Sequence, residues 1–171
     1  ASAREWIDYV NREDRFKVNL PGQPTVRDIS YEPQRGGTVP ARVYTSQDGP
    51  RRFSVTVVDL TSFKEPSDVK GSIAWEAWHF RKRGGTVTYD AYSQIDRIEG
   101  HHIHIQNTDG TLTYAGIYLQ NRRLYILEAN VPPNASAGAM LFQQSIQILD
   151  DNGERIRWEL DIDGNRVRRV K

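Results

Sequence analysis

The sequence predicts an α+β domain: a mainly antiparallel β-sheet flanked by helices, with a β-hairpin at the C-terminal end. Three observations carry this reading. Most of the chain alternates apolar and polar residues with the period of two that a half-buried strand requires. One long stretch, residues 67–83, changes to a helical period. The strands expected between His102 and Ala129 follow one another through connections short enough to impose antiparallel pairing.

The first element lies in Arg15–Pro24, RFKVNLPGQP, where Phe16, Val18 and Leu20 alternate with polar partners until Pro21-Gly22 and then Pro24 stop the run. Trp6 and Tyr9 precede it. After the break at Arg35-Gly36-Gly37, Val39, Ala41, Val43 and Thr45 alternate in the same way. Phe53, Val55, Val57 and Val58 form a more buried strand ending near Leu60. From Ser67 to Arg83, Val69, Ile73, Ala77 and Phe80 share one helical face. Ser67 is placed to cap the start, Arg81, Lys82 and Arg83 gather at the end where they complement the helix dipole, and Gly84-Gly85 supplies the stop.

Strands resume at Thr86–Ile95 and His102–Gln106. Asn107-Thr108-Asp109-Gly110 is a turn, Thr111–Gln120 a strand, and Asn121 the tight reversal into Arg123–Ala129. Beyond Pro132-Pro133, Asn134 or Ser136 caps a second helix over Ala135–Ser145, with Ala135, Ala139, Leu141 and Phe142 as its apolar set. Ile146–Leu149 is a short strand. In the closing hairpin Ile156, Trp158, Leu160 and Ile162 alternate with charged residues. A two-residue Asp163-Gly164 turn sets Leu160 opposite Val167 and Trp158 opposite Arg169, whose guanidinium would stack on the indole. No linker divides the chain, so residues 1–171 are expected to form one domain, with 6–149 as its core and 150–171 as a hairpin extension.

Composition narrows the function classes. The 171 residues include no cysteine, which removes disulfides, thiol catalysis and thiolate metal sites. With 23 basic and 22 acidic residues the formal net charge is +1, offering no general attraction to nucleic acid or an anionic membrane. No apolar run approaches the ~18 residues needed to span a bilayer. Ala1-Ser2-Ala3 has the small-x-small pattern of a signal-peptide cleavage site, but a cloning remnant or plain sequence gives the same three residues; a mature periplasmic or secreted chain is expected only when the family likeness carried by the rest of the sequence is added to it.

Three pieces taken together carry a family likeness: the opening Trp6…Tyr9…Phe16-Lys17-Val18-Asn19-Leu20-Pro21-Gly22…Pro24, the central Tyr114–Leu119 with Arg123-Leu124-Tyr125-Ile126-Leu127, and the closing Pro133-Asn134-Ala135…Phe142-Gln143-Gln144-Ser145. Over Trp6 to Leu149 this order resembles bacterial exported domains of unknown function with a PsbP-like fold, a fold shared with extrinsic proteins of photosystem II and with a eukaryotic factor that binds the small GTPase Ran. The resemblance implies an antiparallel sheet with helices on its faces, an adaptor or assembly role, and no catalytic residues to carry over.

No GxSxG elbow and no HExxH helix is present, so no catalytic residue is assigned. His102 and His104 would point to one face of a strand while Ile103 and Ile105 point to the other. A third ligand from a neighbouring strand would make a zinc or copper site; otherwise the isoleucines enter the core and the histidines face water. Asp161-Ile162-Asp163-Gly164-Asn165 resembles half a calcium loop but lacks the closing glutamate, and a turn explains it. No cofactor or metal is therefore expected. The tryptophans are the better lead: Trp75 and Trp78 fall away from the helix stripe, and Trp158 sits on a hairpin in need of cover. They either lie beneath the folded-back hairpin or meet another chain.

The function expected from these residues is a non-catalytic binding or assembly module of the bacterial envelope. Its partner would be another protein, or a second copy of the chain met through the hairpin. The alternatives are a metal-binding protein or metal-dependent enzyme using His102 and His104, and a small-ligand receptor with a cleft lined by Tyr89, Tyr92, Tyr114 and Tyr118.

Overall fold

Alternation of apolar side chains produces two unequal sheets stacked face to face, with one α-helix on the far side of the larger. The computed structural model describes residues 5–65 and 68–169. In chain order its elements are β1 (Ile7–Asn11), β2 (Phe16–Leu20), β3 (Thr25–Tyr31), β4 (Val39–Asp48), β5 (Arg51–Asp59), α1 (Val69–Arg81), β6 (Thr86–Ile95), β7 (Ile98–Gln106), β8 (Leu112–Gln120), β9 (Arg123–Val131), β10 (Gln147–Ile148), β11 (Trp158–Leu160) and β12 (Arg166–Arg168). The large sheet has the order β3-β4-β5-β9-β8-β7-β6, the small one β1-β2-β10, and β11 pairs with β12 alone. Every ladder among the described residues is antiparallel. The large sheet is therefore two meanders, β3–β5 and β6–β9, joined along one seam where β5 meets β9.

The two faces of that sheet hold separate apolar clusters. Phe16, Val18 and Leu20 of β2 pack with Phe53, Val55, Val57, Tyr125 and Leu127 on the face under the small sheet. On the opposite face Ile73, Ala77 and Phe80 of α1 meet Val58, Ile103, Ile105, Ile117, Leu124 and Ile126. Each fully buried side chain of this kind contributes roughly 1.5–3 kcal/mol. The helical stripe expected at Ile73, Ala77 and Phe80 is the buried face of α1. Its N-cap is Asp68, whose carboxylate accepts from the Gly71 N–H at 2.9 Å; Ser67 lies outside the described residues, as do Ala1-Ser2-Ala3.

Three expectations need correction. Thr25–Tyr31 is a strand that alternation did not reveal, because β3 is a sheet edge and its side chains are mostly exposed. The second helix is not α-helical: Pro133–Ala135 and Ala139–Gln144 are two 3₁₀ pieces, separated where Gly138 takes φ 75°. The closing hairpin pairs Trp158 with Arg168, Glu159 with Val167 and Leu160 with Arg166, one step away from the expected register.

The cause of that slip is the turn. Gly164 sits at φ 80° and its N–H bonds to the Asp161 carbonyl, while the Asp161 N–H bonds to the Asn165 carbonyl. This is a three-residue loop closed by a left-handed glycine, not a two-residue turn. The same pattern recurs at Asn107–Thr111 with Gly110 and at Asp150–Glu154 with Gly153. In all three an Asx residue opens the loop and the left-handed position falls on the glycine three places later.

The 3₁₀ segment Ala139–Gln144 lies over the small-sheet face of the large sheet, and Gly116 lets it approach. A Cβ at Gly116 would collide with the Gln143 carbonyl, a backbone atom that cannot swing aside. Gly116→Ala is expected to lower the unfolding free energy by about 1–3 kcal/mol, read from urea denaturation. An unchanged midpoint would show that the segment is free to shift.

Candidate binding site

Two of the three expected tryptophans come together on the outer side of α1. Trp75 and Trp78 have ring centroids 5.6 Å apart, and the His79 ring stands edge-on to both, at 4.7 and 5.1 Å. The Trp75 indole donates to the Glu32 carbonyl at 3.0 Å, which ties the helix to the β3–β4 loop. Trp78 is 44% exposed, with Lys82 Nζ 3.9 Å from its ring centre. The patch therefore has one anchored indole, one free indole and a cation at its rim.

Trp158 is elsewhere. Its backbone N–H bonds to the Asp96 carbonyl, its indole reaches Gln120 Oε1 at 3.4 Å, and Arg166 rather than Arg169 stacks over it at 4.4 Å. Arg155 reinforces this docking through a bidentate bond to Asp96 at 2.9 and 3.0 Å. The hairpin thus folds back on the β6–β7 turn and leaves Trp75 and Trp78 uncovered.

That docking borders an open cleft of about 550 Å³. Its lining comes from Val69 of α1, from Gln94, Arg97 and Glu99 of the β6–β7 hairpin, from residues 119–122 at the β8–β9 turn, and from Leu160 and Arg166 of the terminal hairpin. A smaller pocket of about 260 Å³ also has Glu99 in its lining and runs along α1 past Ile73, Ala77 and Tyr92. Arg97, Arg122 and Arg166 line the larger cleft, and among the described residues none has a carboxylate partner: Arg122 bonds to the Phe63 and Lys64 carbonyls, Arg166 to the Arg97 carbonyl. Glu99 Oε2 is buried and accepts no hydrogen bond among the described residues.

The sequence reading overlooked these residues, although a signal was present. The β6–β7 and β8–β9 hairpins turn on Asp96-Arg97 and Asn121-Arg122, all four at φ between 51° and 62°. Two-residue turns of this kind favour Asn-Gly or Asp-Gly. Arginine at both second positions is unexpected on conformational grounds, and both side chains line the same cleft.

The histidines share a face as expected, but they are not in water. His102 Nε2 lies 2.6 Å from the Tyr118 hydroxyl, which donates to the Gln143 carbonyl at 2.7 Å; the imidazole must then donate from Nε2. Burial, with the charges of His104 and His101 adding to it, pushes His102 down to about 4. His104 stacks on Tyr89, meets the Tyr114 ring edge-on, and contacts the Gln143 carboxamide at 3.0 Å. Among the described residues no group of three His, Cys, Asp or Glu is placed to hold a metal. The four tyrosines do not line one cleft: Tyr89, Tyr114 and Tyr118 surround the histidines, while Tyr92 faces α1.

The arrangement of layers has a counterpart among solved structures. The solution structure of cyanobacterial PsbP (CyanoP) from Synechocystis sp. PCC 6803 superimposes with a TM-score of 0.57 at 11% identity, over 86% of this chain and 95% of that one. The fold is PsbP-like. No family model and no curated protein matches the sequence. Among the described residues no helix is long and apolar enough to cross a membrane.

Proposed function

We propose that this chain is a non-catalytic binding or assembly module of the bacterial envelope, and that it engages another protein through the aromatic patch on α1. The observation that carries the reading is the Trp75–Trp78 pair, held off the core with Trp78 open to solvent. A large aromatic ring fixed by neighbours gives contact area at little loss of side-chain freedom, and such residues dominate the energetics of protein interfaces. The PsbP-like fold supports an accessory role, and the likeness of the pieces between Trp6 and Leu149 to bacterial exported domains supports the envelope assignment.

The test is affinity capture from envelope extract with the wild-type chain and Trp78→Ala. The variant is expected to change folding stability by less than about 1 kcal/mol, because the ring is largely outside the core. It should weaken capture of a stoichiometric partner by roughly 30-fold, as loss of a ~2 kcal/mol hot spot requires. Equal capture by both proteins would remove the patch from the function.

Exposed Leu160 and Ile162 on the terminal hairpin favour a second reading, self-association through that element. Sedimentation equilibrium separates the two, since only self-association makes the mass depend on the concentration of the chain alone.

A further inference from the structure

One edge of the large sheet ends in backbone groups that have no partner. β6 is the last strand of that sheet and pairs with β7 alone. Their hairpin turns on two residues, so Ile95 and Ile98 exchange both of their backbone bonds, and from Tyr89 to Ile95 the register runs without a break. Alternation then turns the N–H and C=O groups of Asp90, Tyr92 and Gln94 away from β7. Among the described residues nothing bonds to them. The rings of Tyr89 and Tyr92 on the same strand are 48% and 58% exposed.

Free edges are ordinarily guarded by charge, by proline or by shortness. The opposite edge of the large sheet, β3, carries Arg27 and Asp28, and β1, an edge of the small sheet, has five residues with Asp8 among them. β6 has ten residues, no proline, and Asp90 as its single charge. That carboxylate is already held on the α1 side by the Arg81 guanidinium, at 2.6 and 3.0 Å. The bulge between Val87 and Tyr89 bends only the first end of the strand.

The unguarded stretch Tyr89–Ile95 complements itself. A two-fold axis through Tyr92 sets Tyr92 opposite Tyr92 of a second copy, Asp90 opposite Gln94, Ala91 opposite Ser93 and Tyr89 opposite Ile95. Each pair of outward-turned residues can then exchange both backbone bonds. No like charges meet, and each tyrosine faces another apolar or aromatic side chain. An axis through Asp90 would oppose two carboxylates, and one through Gln94 would shorten the overlap and set Tyr92 against the Asp96-Arg97 turn. We infer that the chain forms a symmetric dimer in which β6 pairs antiparallel with β6 of a second copy, centred on Tyr92, so that one sheet continues across the axis. The contact uses neither the Trp75–Trp78 patch nor the terminal hairpin.

The test is sedimentation equilibrium of the full chain over about 10–500 μM, the range suited to so small an interface. The mass should rise from that of one chain toward that of two. Tyr92→Lys and Tyr92→Glu should each weaken the association at least tenfold, because each variant meets its own charge across the axis. An equimolar mixture of the two should restore it, and Leu160→Ser should leave it unchanged. In the wild type, hydrogen exchange at the Asp90, Tyr92 and Gln94 amides should slow at least threefold from the dilute to the concentrated sample. The proposal is overturned if the wild type keeps the mass of one chain throughout, if Tyr92→Lys associates as the wild type does, if the mixture associates no better than its components, or if Leu160→Ser abolishes association. Unchanged exchange at those three amides overturns it without recourse to any variant.

Discussion

Asp14→Ala is expected to lower the unfolding free energy by about 3–5 kcal/mol, read from urea denaturation at neutral pH. Asp14 sits in the turn between β1 and β2, only 6% exposed, with its N–H bonded to Asn11 Oδ1. Its carboxylate accepts Arg42 Nε at 2.8 Å, Arg42 NH2 at 2.6 Å and the buried Tyr44 hydroxyl. Its carbonyl accepts from the Tyr125 hydroxyl at 2.8 Å. One turn of the small sheet is thereby bolted to β4 and β9 of the large one. Truncation leaves the buried Tyr44 O–H without an acceptor, although its oxygen still accepts from Asn11 Nδ2 at 3.0 Å, and strips Arg42 of its two-pronged partner, while the exposed Glu13 offers only one oxygen contact in exchange. Tyr44→Phe together with Asp14→Ala should be less than additive, since Tyr44→Phe removes the donor that Asp14→Ala strands. A loss under 1 kcal/mol for Asp14→Ala would mean that the two sheets are held by apolar contact alone.

His102 should make the fold acid-sensitive in a defined window. Its folded-state pKa of about 4 lies below the ordinary 6.5. The unfolded chain therefore binds the extra proton between those values, and stability falls as pH drops from 6.5 to 4, with no further loss from this group below that. The fall is on the order of 2–3 kcal/mol. His104, also lowered by burial, adds in the same direction. Asp90, drawn down to about 2 by its bond to Arg81, loses its contribution in a lower window, from 3.8 to 2. Glu76, raised by burial, works the opposite way: the fold takes up its proton first, which favours the folded state as pH falls. The difference between wild type and His102→Gln isolates the histidine. It should slope between pH 6.5 and 4 and be flat outside; a flat difference throughout would mean the imidazole is solvated.

The sequence was most readable where one face of an element is buried and the other wet. The stripe through Ile73, Ala77 and Phe80 placed α1, and Phe16, Val18 and Leu20 placed β2, because burial imposes its period directly on the letters. It was least readable at the margins. β3 has no buried face to impose a period, and the Ala135–Ser145 segment has apolar residues but a left-handed Gly138 at its middle. Trp75 and Trp78 were found as off-stripe residues on a recognisable helix. The arginine cleft was not, since Arg97, Arg122 and Arg166 come from three separate turns and strands. The cover over His102 was equally hidden: it is supplied by Gln143, far along the chain, and local alternation carries no trace of it.

The seam between β5 and β9 has a consequence for how the molecule assembles. Within each meander every strand pairs with its successor, so these ladders need only short loops and form early. Joining Asp59 to Arg123 closes a far longer stretch of chain, with the helix inside it. The meeting of these two halves is therefore expected to be a slow step in reaching the native state, and the return of β10 to β2, across a still longer stretch, is a second one that the cluster under the small sheet also requires.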